Sequence, residues 1–238
     1  GVADGVDEVV EAVRQQIKHG ARVIKICATA GVLSFEESVG AQQMTEEEMR
    51  AAVEEAARHG IPVAAHAHGT AGIKAAVRAG VASIEHGSIL DDEAIELMRE
   101  RGTYLVPTTY LADAIDLDAL PAQIRAKAEH VLPIMRESLR RAIAAGVPIA
   151  FGTDAAVYPH GDNAREFAVY VRLGMSPVDA IRTATVEAAA LLGVDDRGVV
   201  AEGRLADLIA VPGNPFQDVR TLENVRFVMK GGVVYLKP

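Results

Sequence analysis

Residues 60–69, G-I-P-V-A-A-H-A-H-G, contain a short apolar run that ends in two histidines, His66 and His68. Gly60 and Pro62 stop the helical pattern before them, and the run from Pro62 to His66 predicts a strand. Because side chains alternate between the two faces of a strand, we expect both imidazoles on one face and close together. Such a pair suits a metal ion, although an isolated H-x-H can equally be one core histidine and one loop histidine.

The same alternation of helix and strand repeats along the chain. Helical spacing of apolar residues predicts helices over 5–19, 45–59, 70–79, 91–101 and 122–145, and apolar runs predict strands over 22–27, 62–66, 81–85, 103–106 and 147–152. Strands separated by helices imply a parallel sheet covered by helices, which is the α/β class. The strands end in residues that can do chemistry: Lys25, His66, His86, Thr108 and Asp154. That end of the sheet is where α/β barrels carry their active sites.

The pattern changes towards the C-terminus. Two more helices are predicted over 163–173 and 177–192, followed by short strands over 205–211, 225–229 and 233–236. The pair Gly231-Gly232 is typical of a hairpin turn between the last two strands. These strands indicate part of a small β module.

Composition excludes several classes of protein. The net charge is −9, from 24 Lys and Arg against 33 Asp and Glu, and without a basic tract we expect no nucleic-acid partner. No apolar run approaches the roughly 18 to 20 residues of a membrane span, so we expect no such span. A single cysteine, Cys27, rules out an internal disulfide. We expect a soluble chain, cytoplasmic or exported, with the compartment left open.

Each chemically capable residue also has a purely structural interpretation. Lys25 lies in a predicted apolar strand. In one interpretation its aliphatic stem is buried while its ammonium group reaches solvent. In the other, the amine is neutral or chemically modified, because a buried unpaired ammonium is costly. His86 can be structural, and Asp154 can cap a helix N-terminus. Four such residues, with His66 included, fall at the ends of successive predicted strands. Imidazoles and a carboxylate match zinc or a similar ion, so together they predict a metal site.

Five motifs resemble the amidohydrolase superfamily, in particular its imidazolonepropionase-like branch of Xaa-Pro dipeptidases (prolidases) and related metallo-carboxypeptidases. They are V-I-K-I (23–26), V-A-A-H-A-H-G (63–69), S-I-E-H-G (83–87), F-G-T-D (151–154) and G-R-L-A-D-L-I-A-V (203–211). The resemblance covers nearly the whole chain. It implies a TIM-like (β/α)8 barrel of the metal-dependent hydrolase type, with residues 1–195 in the barrel and residues 196–238 in a composite β-sandwich domain.

The resemblance also implies a binuclear metal centre. Lys25 resembles the lysine that reacts with CO2 to give N6-carboxylysine, a carbamate that bridges two divalent ions. His66 and His86 resemble the ligands of the second ion. Asp154 resembles the carboxylate that binds the first ion and takes a proton from the bridging hydroxide. His68 is expected to contact substrate or support a ligand, and we expect zinc, with manganese or cobalt also suited to these ligands.

One feature departs from the family pattern. Family members carry a further H-x-H on the first barrel strand, and none precedes Lys25 here. By this count the chain supplies barrel strands four to eight, and its own sheet would have two unpaired edges. We therefore expect an N-terminal segment or a partner chain to supply the missing ligands, and we expect a homo-oligomer.

The branch implies hydrolysis of an amide or peptide bond in dipeptides or N-acyl amino acids, an activity of the EC 3.4 or 3.5 type. A hydrophobic or prolyl residue with a free carboxylate is the first choice of substrate. His68, Tyr104 and Tyr110, with the loop over residues 31–35, are expected to line its pocket. Two alternatives stay open: a cyclic-amide hydrolase of the imidazolone type, and a non-catalytic subunit or fragment that needs a partner chain.

Overall fold

The computed structural model describes residues 2–36 and 38–237, which form two compact units. The first comprises Gly1–Pro107 and Asp116–Pro148, and the second comprises Thr108–Ile115 and Ile149–Pro238. Each unit has its own sheet. The predicted boundary between residues 195 and 196 stays a prediction.

Nine α-helices occur in the part of the chain that the structure describes. They are α1 Val6–Lys18, α2 Glu46–Ala57, α3 Thr70–Ala79, α4 Asp92–Arg101, α5 Leu111–Ala114, α6 Ala122–Ala145, α7 Arg165–Arg172, α8 Pro177–Thr183 and α9 Val186–Leu191. Thr45 and Glu48 form a capping box at the start of α2, and Gly80 ends α3 in the left-handed conformation. None of these helices combines the length and apolar character needed to cross a bilayer.

The first unit contains a parallel sheet in the order β1-β2-β3-β4. Its strands are β1 Ile24–Cys27, β2 Val63–Ala67, β3 Ser83–His86 and β4 Tyr104–Val106. In register, Cys27 lies beside His66, and Ala67 lies beside His86. The carboxyl ends of these strands therefore meet at one edge of the sheet, as the sequence predicted.

The predicted fifth strand, over residues 147–152, was wrong as a regular strand. Only Ile149 has bridge geometry there, and the carbonyl oxygen of Pro148 accepts a hydrogen bond from the amide of Leu105 at 2.8 Å. Pro148 has no N–H to donate, and the amide of Phe151 donates to the carbonyl oxygen of Thr183 instead of to a strand. The segment therefore pairs at one residue and does not continue as a regular strand.

The predicted helix over 177–192 is divided into α8 and α9. Thr185, between them, has a non-helical backbone conformation, with φ −121° and ψ −93°. Its hydroxyl donates to the carbonyl oxygen of Ile181, four residues earlier, at 3.0 Å. A threonine hydroxyl that bonds the backbone in this way competes with helical hydrogen bonding.

The second unit ends in an antiparallel sheet in the order β5-β6-β7. Its strands are β5 Leu208–Ala210, β6 Phe227–Lys230 and β7 Val233–Leu236, which confirms the three predicted β segments. Gly231 and Gly232 both have positive φ and join β6 to β7, as the glycine pair predicted. The amide of Gly231 donates to the Asp207 carboxylate at 2.7 Å, so the turn is anchored to the chain just before β5.

Close backbone contact requires a glycine directly after His68. A Cβ atom on Gly69 would lie 2.2 Å from the carbonyl oxygen of Gly40, closer than van der Waals contact allows. We expect Gly69→Ala to lower the free energy of unfolding by about 2 kcal/mol or more, because neither backbone can move aside. Urea unfolding measures this. Gly31→Ala is the matched control, since its Cβ would meet nothing nearer than 3.5 Å; equal losses in both variants would contradict the prediction.

Candidate metal centre

Three imidazoles meet at the carboxyl end of the first sheet. His66 lies in β2, His68 follows β2 directly, and His86 ends β3. The ring centroids are 4.6 Å apart for His66 and His68, and 4.8 Å apart for each of the other two pairs. The candidate ligand atoms all lie within 4.8 Å of one another. The expected proximity of His66 and His68 is confirmed, and His86 joins them.

The backbone at His86 departs from ordinary strand geometry. In the strand register, Glu85 lies beside His66 and His86 lies beside Ala67, so simple alternation would direct Glu85 and His86 to opposite faces. His86 has φ +71°, in the left-handed region that non-glycine residues rarely adopt. The left-handed conformation ends β3 at His86, the residue whose ring joins the other two imidazoles. A strained backbone at such a place is typical of a functional site.

Burial favours the neutral form of two of the three imidazoles, His68 and His86. Burial, and then the neighbouring His66, lower the pKa of His68 to about 3. Burial, followed by the charges of His68, His66 and Lys25, lowers the pKa of His86 well below its ordinary value. A neutral imidazole keeps the nitrogen lone pair that a metal ion binds. The donor set and its protonation state therefore fit a divalent metal ion.

Three hydrogen bonds fix the backbone and the ring of His68. Its amide donates to Thr29 Oγ1 at 2.9 Å, and its carbonyl oxygen accepts from the amide of Ile89 at 3.0 Å. Its Nδ1 lies 2.7 Å from Ser88 Oγ. Thr29, His68 and Ser88 are all buried. The loop after β1 thus holds the amide of His68, and the loop after β3 holds its carbonyl oxygen and its ring.

Lys25 is exposed in β1, whereas Ile24 and Ile26 on either side of it are buried. The interpretation of Lys25 as a buried lysine was wrong. The physical reason is strand alternation, which places the isoleucines on one face and Lys25 with Cys27 on the other. Lys25 lies beside Ala64 in register and contributes to the lowered pKa of His86, which indicates that its charge is near the imidazoles.

The loop that follows β1 approaches the cluster at Gly31. A Cβ atom placed on Gly31 would lie 3.6 Å from His66 Nε2, and Ser34 Oγ donates to the Gly31 carbonyl oxygen at 2.9 Å. The carbonyl oxygens of Ser34 and Glu36 accept hydrogen bonds from Lys127 Nζ. This loop, which is expected to line the substrate pocket, therefore lies next to His66 at Gly31. Lys127 bonds it to α6.

Asp154 belongs to the second unit, is exposed and has φ +51°. Its interpretation as a helix N-cap was wrong, because the next helix, α7, begins at Arg165. Thr108, at the start of the other segment of this unit, has φ +52°. Left-handed geometry at a β-branched residue is a marked outlier. The role of Asp154 as a ligand stays a prediction.

Tyr104 and Tyr110 have different environments. Tyr104 begins β4 and is partly exposed. Tyr110 is buried against Tyr158, with ring centroids 5.0 Å apart, and its hydroxyl accepts a hydrogen bond from Arg165 at 3.2 Å. Their roles in substrate binding stay predictions.

Glu166 is a buried residue that the sequence did not identify. Its carboxylate is fully buried and accepts the amide hydrogen bonds of Thr109 and Tyr110 at 2.7 and 2.5 Å. Burial raises the pKa of Glu166 to about 7, although the two amides act in the opposite direction. A glutamate in the first turn of α7 has the sequence pattern of a surface residue, so no local signal distinguishes it.

Residues 1–235 match the amidohydrolase family. The chain belongs to that family. This confirms the resemblance drawn from the five motifs, and the fold class predicted with it: the parallel sheet and helices are those of the TIM-like barrel of amidohydrolases. Among curated relatives, the chain is similar to ochratoxinase of Aspergillus niger, with 41% identity over 246 residues that cover all of this chain and 51% of the relative.

Two solved structures are similar over nearly the whole sequence. A Xaa-Pro dipeptidase with bound methionine in the active site is 48% identical with a TM-score of 0.96, covering 99% of this chain and 60% of that one. A prolidase complexed with N-methylphosphonate-L-proline is 35% identical with a TM-score of 0.93, covering 100% of this chain and 60% of that one. The chain therefore spans between half and three fifths of the length of these relatives.

The raised pKa of Glu166 predicts a pH-dependent stability for this chain. Since its folded pKa of about 7 exceeds the ordinary 4.5, the stability it contributes is complete below about pH 4.5 and is lost as the pH rises through 7. Glutamine at this position cannot ionise. We expect the unfolding free energy of the wild type, relative to Glu166→Gln, to fall by on the order of 1 to 3 kcal/mol between about pH 5 and about pH 8.

Urea unfolding of both proteins at the two pH values measures this difference. Glu129→Gln, at an exposed residue paired with Arg125, controls for the loss of any one carboxylate. A difference between wild type and Glu166→Gln that does not change with pH would show that Glu166 is not the titrating group.

Proposed function

We infer that this chain carries part of the active site of a metal-dependent amide hydrolase. The observation that carries this inference is the cluster of three imidazoles, His66, His68 and His86, at the carboxyl edge of a parallel sheet, in which burial lowers the pKa of His68 and of His86. Membership of the amidohydrolase family supports it. The arrangement suits a divalent ion because imidazole nitrogens are ligands that zinc, manganese and cobalt all accept.

His66 and His86 would hold one ion, and Lys25 as N6-carboxylysine, with Asp154, would complete a two-metal centre. The exposed position of Lys25 in β1 leaves its amine open to CO2. The carboxylation also replaces a positive charge, which would repel a metal ion, with a negative one that binds it. The remaining ligands of the centre would come from an H-x-H outside this sequence, and a homo-oligomer stays part of the proposal.

A divalent ion bound here would lower the pKa of water towards 7 and polarise the scissile carbonyl. Asp154 would accept the proton of the attacking water and pass it to the departing amine nitrogen as the carbon–nitrogen bond breaks. Neutral His68 would supply a hydrogen bond rather than a charge. Tyr104 and Tyr110 would contact the remainder of the substrate.

The substrate class we infer is a dipeptide or N-acyl amino acid with a free carboxylate and a hydrophobic or prolyl C-terminal residue. The similarity to a Xaa-Pro dipeptidase and to a prolidase supports this choice. The direct test compares hydrolysis of an N-acyl-L-proline with that of a cyclic amide, using the intact zinc-loaded protein. Faster opening of the cyclic amide would favour the imidazolone-type alternative, and a metal-loaded protein inactive on both would favour a non-catalytic subunit.

Replacement of Asp154 tests the proton transfer. Asparagine has the shape of aspartate but cannot take up a proton at neutral pH, so we expect Asp154→Asn to lower kcat by about 100-fold or more while the thermal unfolding temperature stays unchanged. Asp162→Asn, at a nearby carboxylate paired with Arg165, is the control and should keep full turnover. Wild-type turnover in Asp154→Asn would remove this residue from the mechanism.

Replacement of Lys25 tests the carbamate. We expect Lys25→Ala to bind less metal, measured by elemental analysis, and to regain part of its metal and activity when acetate or propionate is added, because a short carboxylate can occupy the place of the carbamate. Lys74→Ala, at a lysine paired with Asp91 and Glu93, should bind metal normally. Loss of metal without any rescue would argue against a carbamate at Lys25.

A further inference from the structure

Ser88 is a fully buried hydroxyl two residues after His86. Its Oγ lies 2.7 Å from Nδ1 of His68, a short distance for a hydrogen bond between a hydroxyl and a ring nitrogen. None of the family motifs quoted above reaches this residue, since the nearest, S-I-E-H-G, ends at Gly87. A buried hydroxyl that contacts a member of the histidine cluster requires an explanation in terms of that cluster.

The backbone of His68 is fixed before Ser88 acts on its ring. The amide and the carbonyl of His68 are bonded to Thr29 and Ile89, which belong to the loops after β1 and β3. Rotation of the side chain is then the freedom that remains, and the contact with Ser88 restrains it. With Nδ1 held by the hydroxyl, Nε2 is the ring nitrogen left for a ligand or a substrate.

The direction of the Ser88 hydrogen bond decides what Nε2 can do. A neutral imidazole carries one N–H, on either nitrogen. If the Ser88 hydroxyl accepts from Nδ1–H, then Nε2 keeps its lone pair and can bind a metal ion. If the hydroxyl donates to Nδ1, the proton is on Nε2, which can then donate to an oxygen but cannot bind a metal ion.

We propose that Ser88 donates to Nδ1 of His68 and holds it as the Nε2–H tautomer, which donates a hydrogen bond to the carbonyl oxygen of the substrate. Ser88 is thus a positioning residue that acts through His68. The proposal rests on the proposed function, in which His66 and His86 are the metal ligands and His68 meets the substrate. A donor aimed at the carbonyl oxygen gains strength as negative charge develops there, so its effect falls on kcat more than on KM.

The tautomer can be read directly by NMR of the intact protein with 15N-labelled histidine and bound zinc. We expect His68 to show a protonated Nε2 and an unprotonated Nδ1 that accepts a hydrogen bond. In Ser88→Ala we expect a mixture of tautomers, a fall in kcat of about tenfold or more, little change in KM and an unchanged zinc content. Ser138→Ala is the matched control, because Ser138 is also buried and its Oγ accepts the amide hydrogen bond of Leu90 at 3.1 Å.

Two results would overturn the proposal. One is an Nδ1–H tautomer of His68 in the wild type, which needs no variant and therefore holds even if Ser88→Ala does not fold. The other is a Ser88→Ala protein with the tautomer and kcat of the wild type. If the wild type shows the Nε2–H tautomer and Ser88→Ala disturbs it, but the zinc-loaded wild type hydrolyses no amide, then the proposed function fails while the positioning by Ser88 stands.

Discussion

The candidate site depends on one constraint, the parallel register that brings the ends of β2 and β3 side by side. His66 and His68 are two residues apart, and the pairing of Ala67 with His86 brings the third ring to the same edge. The left-handed backbone at His86 ends the strand there. Burial then keeps the ring of His86 neutral, so that register, backbone strain and desolvation together leave this proposed ligand with a nitrogen lone pair, while the equally neutral His68 beside it can serve as a hydrogen-bonding group.

The order of elements could be predicted because helix and strand signals are local. Thr45 and Gly80 mark helix ends in the sequence and in the structure, and the H-x-H spacing alone predicts the proximity of His66 and His68. The segment at Pro148 was predicted wrongly because its apolar composition resembles a strand, whereas the hydrogen bond from Phe151 to Thr183 depends on a distant part of the chain. Tertiary contacts therefore determine the conformation of that segment.

The supporting residues could not have been found from local patterns. Ser88 and Glu166 are a serine after a glycine and a glutamate on a helix, and both are common on protein surfaces. What distinguishes them is burial and long-range contacts: Ser88 contacts His68, 20 residues away in the sequence, and Glu166 accepts from the amides of Thr109 and Tyr110, 57 and 56 residues away. The exposure of Lys25 could not be predicted either, because its apolar neighbours in β1 do not reveal which face of that strand the core covers.

The most direct measurement is X-ray diffraction from crystals of the intact protein grown with zinc, recorded on both sides of the zinc absorption edge. The account predicts anomalous density for an ion bonded to His66 and His86, and extra density for a carboxylate on Nζ of Lys25. An absence of anomalous density at these imidazoles under saturating zinc, with an unmodified lysine, would contradict the central claim that this cluster is a metal centre.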